Sequence, residues 1–316
     1  MMELIGRYSL KNNHYIFYNG GSGFSFKMKG NSFAISFNSK PIDGYYYIII
    51  DRDCSKRIKV YTDKPYKYEF KDGEEHLVDI IKANEANANA FELMDFQVDG
   101  ELLEDDNQYA YKARVFGDST IAGFGILEHD GGASVHNSDS VRDFCFKALY
   151  EMNMKMDILS ASGYGLTFSA YTCPKNIGVI DYVDNVAVST SKKWNNNKPG
   201  DLLIISLGCN DNSYIQENIN QKEELVQKVI NNYQKLIDME IKLDPNLKIL
   251  LIYGTLKEEV AYYLYEKAYE QLKPIYKYLY IHKFNGDNTA ISNHAYVTAH
   301  EKMSEELKNV IKTILQ

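Results

Sequence analysis

Val115-Phe116-Gly117-Asp118-Ser119-Thr120 is the stretch on which the reading of this chain turns. Two apolar residues run into Gly-Asp-Ser, and Gly123 and Gly125 follow closely. A buried strand that ends where the chain must bend sharply leaves the Ser119 hydroxyl exposed at its carboxyl end. Taken alone, Gly-Asp-Ser is equally a turn or helix-cap sequence, because Asp and Ser side chains satisfy free backbone N–H groups. The surrounding sequence decides between the two.

Downstream, residues 114–116, 156–160, 201–207 and 248–253, with a shorter run at 279–282, are compact and apolar, as parallel strands buried on both faces read. Residues 140–152, 222–243, 258–278 and 298–315 carry helical periodicity; Leu225, Val229, Tyr233, Leu236 and Ile237 share one face. Strands alternating with helices predict a three-layer α/β domain over residues 109–316. Thr298-Ala299-His300-Glu301 reads as a capping box opening the last helix.

Residues 1–108 have the other periodicity. The segments 24–28 and 33–37 alternate with period two on either side of Gly30-Asn31, which predicts a hairpin. Further strands are expected at 45–50, at 76–82 after Asp72-Gly73, and at 91–98 before Asp99-Gly100. About eight strands at roughly ten-residue spacing predict an all-β jelly-roll sandwich without helices. Such a domain is either a carbohydrate-binding module or a packing partner. The boundary falls within residues 104–112.

Bulk properties narrow the function. A chain of 316 residues suits two cores. With 35 Lys+Arg against 43 Asp+Glu, the net charge of −8 excludes nucleic acid as the expected partner, since that affinity comes from basic residues on phosphates. No apolar run reaches the ~18–20 residues of a membrane helix, so no membrane partner is expected. The N-terminus carries no export pattern, and Cys54, Cys145, Cys173 and Cys209 lack paired spacing; free thiols in the cytoplasm are expected. Nothing signals association, so a monomer is expected.

In open α/β sheets, reactive groups gather at the carboxyl ends of the strands. The second strand runs into Ser162-Gly163-Tyr164-Gly165, where the Gly163 N–H is free to meet an acyl oxygen unless this is a plain turn. The third ends in Gly208-Cys209-Asn210-Asp211, where the Asn amide serves either a developing oxyanion or a cap. Asn293-His294 precedes the last helix, and His is the natural base for a Ser hydroxyl. His300 reads as a solvated helix residue, while His129 and His136 lie in a loop that borders the cleft. Trp194, before the polar run 195–200, is a sugar-stacking aromatic or a core anchor.

Gly-Asp-Ser, then Gly, then Gly-x-Asn-Asp, then a late His resembles the SGNH (GDSL-type) hydrolases. With the all-β N-terminal half, the chain resembles more narrowly the family 2 carbohydrate esterases. It is similar to them in Ser162-Gly163-Tyr164-Gly165-Leu166, in Leu-Gly-Cys-Asn-Asp-Asn-Ser-Tyr at 207–214, and in His294 with His300-Glu301-Lys302-Met303. The resemblance implies Ser119 as nucleophile, His294 as base, and Ser119 N–H, Gly163 N–H and Asn210 as oxyanion donors. It implies acetylated plant-type oligosaccharide, from mannan or xylan, as substrate, with no metal or organic cofactor. Tyr164, Asp211 and Trp194 are candidate substrate contacts.

One position departs from the pattern. Many SGNH hydrolases carry an acid two or three residues before the His, where this chain has Ser292 and Ile291. A Ser119–His294 dyad is therefore expected, with the imidazole oriented by the Asn293 main chain; Asp287 is the alternative orienting acid. Two other functions compete: a lipase or thioesterase for longer acyl chains, and a carbohydrate-binding protein with a degenerate esterase site.

Overall fold

Nine strands occupy the N-terminal part of the described residues: β1 (Met2–Ile5), β2 (Tyr8–Lys11), β3 (His14–Phe17), β4 (Gly23–Pro41), β5 (Tyr45–Ile50), β6 (Ile58–Tyr61), β7 (Tyr66–Glu69), β8 (Glu75–Lys82) and β9 (Asn89–Leu103). The computed structural model describes residues 2–105, 108–171, 173–194 and 200–316. Residues 106 and 107, inside the expected domain boundary, and 195–199, after Trp194, lie outside the described residues.

The expected hairpin at Gly30-Asn31 is absent. β4 runs straight through, paired with β8 along its first half and with β9 along most of its length. Gly30 faces Gly100, and a Cβ on Gly30 would lie 2.4 Å from the Asp99 carbonyl oxygen. Two facing glycines let the strands press together at a bulge and bend without reversing. For the same reason β9 does not stop at Val98 but continues through Asp99-Gly100 to Leu103.

Alternation in β5 feeds two cores at once. Tyr46 and Ile48 join Phe24, Phe26, Phe33 and Val78 inside the sandwich. Tyr45, Tyr47 and Ile49, on the opposite face, pack with Val115, Phe144 and Phe146 of the C-terminal domain. The Tyr45 hydroxyl donates to the Ser138 carbonyl at 2.8 Å and the Tyr47 hydroxyl to Asp139 at 2.7 Å. The sandwich is thus fused to its neighbour through a shared apolar core.

The C-terminal domain has a wholly parallel sheet of β10 (Tyr111–Gly117), β11 (Met154–Ser160), β12 (Leu202–Ser206), β13 (Lys248–Tyr253) and β14 (Leu279–Lys283), in the order β11-β10-β12-β13-β14. Its helices are α1 (Ser119–Ala122), α2 (Phe144–Glu151), α3 (Cys209–Glu217), α4 (Lys222–Ile241), α5 (Glu259–Leu272) and α6 (Val297–Leu315). α2, α6 and the sandwich cover one face, and α3, α4 and α5 the other. The expected five strands and four long helices are present, in three layers.

Helix ends differ from expectation where side chains act as caps. α2 starts at Phe144 because the Asp143 carboxylate accepts the Cys145 and Phe146 N–H groups. α5 ends at Leu272, two residues before Pro274, which cannot continue a helix. The capping box at Thr298 does not form: α6 begins one residue earlier, with Val297 N–H bonded to the Ile126 carbonyl and Tyr296 N–H to Asp287. Among the described residues no helix is long and apolar enough to cross a membrane.

Candidate active site

β10 delivers the chain into a turn that only glycine closes: a Cβ at Gly117 would lie 2.3 Å from Ile121. Asp118 then caps α1, accepting the Thr120 N–H at 2.9 Å and its hydroxyl at 2.8 Å. Burial pushes the Asp118 carboxyl up to about 7. Ser119 is the first residue of α1, so its N–H has no partner within the helix.

His294 Nε2 stands 2.7 Å from Ser119 Oγ. Its Nδ1 lies 3.1 Å from the Ile291 carbonyl oxygen and 3.2 Å from that of Ser292. Nδ1 therefore carries the hydrogen and Nε2 presents its lone pair to the hydroxyl. The main-chain carbonyls that meet Nδ1 are those of Ile291 and Ser292, and not that of Asn293, the residue expected to orient the ring. Asp287 stays away from the imidazole and ties the loop together, accepting the N–H groups of Thr289 and Tyr296. Burial lowers the His294 pKa to about 4, which keeps the ring neutral and able to accept a proton.

The expected oxyanion donors meet at the same place. Gly163 has φ +82°, and Asn210 Nδ2 donates one hydrogen to the Tyr164 carbonyl at 3.1 Å, leaving the other for a ligand. Among the described residues no acceptor takes the Ser119 or Gly163 N–H. Ser119, Gly163, Asn210 and His294 line one cavity of about 280 Å³, together with Phe124, Tyr171, Cys173, Ser213, Leu256 and Glu258. The Phe124 ring lies 5.1 Å from the His294 ring. None of these additional lining residues carries a sequence signal that separates it from an ordinary loop residue.

Three expected substrate contacts lie elsewhere. The Tyr164 ring is buried against Tyr182, and only its carbonyl serves the site, through Asn210. Asp211 is fully buried and accepts the N–H groups of Leu166, Thr167 and Phe168 at 2.6, 2.8 and 2.9 Å, which pins the loop carrying Gly163. Trp194 packs edge-on against Tyr8 at 5.2 Å, near Lys112 and Lys155 at the starts of β10 and β11 and so at the opposite end of the sheet from Ser119.

None of the other histidines is among the described residues that line the cavity. His300 is buried, not solvated, and its Nδ1 accepts the Phe144 N–H beside Asp143. His129 stacks on Tyr296 with ring centres 4.0 Å apart, and His136 lies 5.9 Å from the Tyr61 ring. Among the described residues no group of three His, Cys, Asp or Glu side chains could hold a metal ion.

Residues 4–105 match the family model described as carbohydrate esterase 2 N-terminal. No curated protein matches the sequence. Among solved structures, a family two carbohydrate esterase from Clostridium thermocellum in complex with cellohexaose superposes with a TM-score of 0.85 at 18% identity, covering 100% of this chain and 99% of that one. One from Cellvibrio japonicus gives 0.83 at 18% identity, covering 99% and 95%. An acetyl xylan esterase from the rumen bacterium Butyrivibrio proteoclasticus gives 0.85 at 15%, covering 99% and 96%. The chain thus has the fold of the family two carbohydrate esterases over its whole length, an α/β domain behind a sandwich.

Proposed function

We propose that the protein is a serine esterase that removes O-acetyl groups from plant-type oligosaccharides, mannan- or xylan-derived, through an acyl-enzyme on Ser119. The observation that carries this reading is the 2.7 Å contact between His294 Nε2 and Ser119 Oγ in a cavity that also holds Gly163 and Asn210. Ser119 Oγ attacks the acetyl carbonyl while His294 takes its proton. The Ser119 and Gly163 N–H groups and the Asn210 amide receive the oxyanion. Collapse expels the sugar hydroxyl, protonated from His294, and water activated by the same ring releases acetate.

Several features support an uncharged substrate with a small acyl group. At about 280 Å³ the cavity lies at the small end of ligand sites. No Lys or Arg is among its described lining residues, so no fixed cation awaits a phosphate or carboxylate. Relatives include an acetyl xylan esterase and an esterase in complex with cellohexaose. Four free cysteines suit a reducing compartment, and we assign the enzyme, as a monomer, to the cytoplasm.

The test is acetate release from acetylated mannan and xylan oligosaccharides, alongside p-nitrophenyl acetate and octanoate. The expected result is acetate release and a preference for the acetyl ester. Preference for octanoate would favour the lipase alternative, and an active Ser119→Ala variant would overturn the assignment of the nucleophile.

A further inference from the structure

The segment between β8 and β9 leaves the sandwich and reaches the loop that carries Gly163. Glu85 Oε2 accepts the Ser162 N–H at 2.8 Å, and Asn87 Nδ2 donates to the Ser162 carbonyl at 3.2 Å. That carbonyl and the Gly163 N–H belong to one planar peptide unit, with oxygen and hydrogen on opposite sides. Whatever holds the oxygen aims the N–H. From the C-terminal domain the Cys173 thiol contacts the same oxygen at 3.6 Å.

The clasping segment is itself tightly held. Lys82, fully buried, donates to the carbonyl of Asn84 and, at 3.3 Å, to that of Glu85. Asn84 accepts the Tyr45 N–H at 2.9 Å and donates to the Val135 carbonyl at 2.7 Å. Glu85 is buried, which raises its pKa. A buried lysine and carboxyl are costly unless well bonded, and here their bonds all serve one contact between the domains.

We propose that Glu85 and Asn87 of the sandwich are positioning residues for the oxyanion hole: Asn87 holds the plane of the Ser162–Gly163 peptide through its carbonyl and Glu85 anchors the preceding peptide through the Ser162 N–H, so that the N-terminal domain completes the catalytic site. This rests on the esterase reading above. Neither residue is among the described residues that line the cavity. Their action goes through the direction of one N–H.

Asn87 is exposed, so its side chain can be removed with little effect on folding. Losing a whole oxyanion donor costs on the order of 10²–10³ in turnover, and a donor left in place but released costs less, about tenfold. For Asn87→Ala, the expected result is a kcat on p-nitrophenyl acetate about tenfold lower, with KM and melting temperature unchanged. The inhibition constant of a short alkylboronic acid, whose tetrahedral adduct on Ser119 places an oxygen in the hole, should rise by the same factor. Glu85→Gln keeps an acceptor oxygen and should recover most of the turnover that Glu85→Ala loses.

Wild-type kcat and boronate affinity in Asn87→Ala would overturn the proposal, as would a loss of kcat matched by loss of folded protein. An inactive wild-type protein would instead overturn the esterase reading.

Discussion

The Ser292 carbonyl accepts the His294 Nδ1–H at 3.2 Å, and it reaches the ring because Ser292 and Asn293 both take positive φ, 54° and 60°. Non-glycine residues occupy that region at a cost, and a pair of them in succession fixes the carbonyl direction. The Ile291 carbonyl shares the same hydrogen. Two carbonyl dipoles thus do the orienting work of a triad acid: they choose the tautomer and the ring plane. Unlike a carboxylate they add no full negative charge, so their bonds to Nδ1 raise the imidazole's pKa too little to offset burial.

The dyad predicts how Asp287 behaves. In a triad, spoiling the acid costs about 10⁴ in turnover. Asp287 here bonds Thr289 and Tyr296 and not the imidazole. Asp287→Ala should leave kcat within about tenfold of wild type while lowering the melting temperature, since the loop before α6 loses bonds worth about 1 kcal/mol each. A 10⁴-fold loss with the fold intact would make Asp287 the missing acid.

The pH profile carries a second prediction. The kcat/KM profile reports the free enzyme's base, and burial has lowered His294 from 6.5 to about 4. Activity should stay flat from pH 7 to about 5 and fall tenfold per unit only below about 4. A limb near 6.5 would mean an unperturbed histidine. The sign for stability follows: with the folded pKa depressed, protonation favours the unfolded chain, so this group's contribution, intact above 6.5, is lost as pH falls towards 4.

What was legible in the sequence was what glycine, Ser, Asn and His reveal at strand ends: Ser119, Gly163, Asn210 and His294 converge as their positions imply. What was not legible depends on distant pairs. Alternation around Gly30 reads the same whether the chain reverses or bends, and Gly100, on another strand, decides. Asp211 follows Asn210 and so reads as a site residue, yet its partners are three N–H groups more than forty positions earlier. Helix α3 went unpredicted because Ile215 is its one deeply buried apolar side chain, too little for a periodic stripe.

Asp211 supports the third prediction. Its carboxylate gathers the Leu166, Thr167 and Phe168 N–H groups just after Gly163, and burial pushes its pKa up to about 6. Asp211→Ala leaves three buried donors unanswered and should cost about 2–4 kcal/mol in denaturant unfolding, with a fall in kcat among the molecules that remain folded. Asp211→Asn keeps one acceptor oxygen and sheds the buried charge, so it should lose less than half of that. Equal losses in both variants would show that the charge, and not the hydrogen-bond geometry, holds the loop.

Glu258 gives the last prediction. It is the one carboxylate among the described residues lining the cavity, it is half-buried, and no described donor pairs with it. Burial raises its pKa from the ordinary value, and in its ionised form this carboxylate repels an anionic acyl group. Two like charges about 6 Å apart at an effective dielectric near 20 oppose each other by roughly 2–3 kcal/mol, less where solvent enters. Glu258→Gln should therefore raise kcat/KM for a p-nitrophenyl succinate monoester about tenfold relative to p-nitrophenyl acetate. The acetate rate itself should change little, because a neutral ester feels only the change in hydrogen bonding. An unchanged succinate-to-acetate ratio would mean that the acyl group binds beyond the reach of this carboxylate.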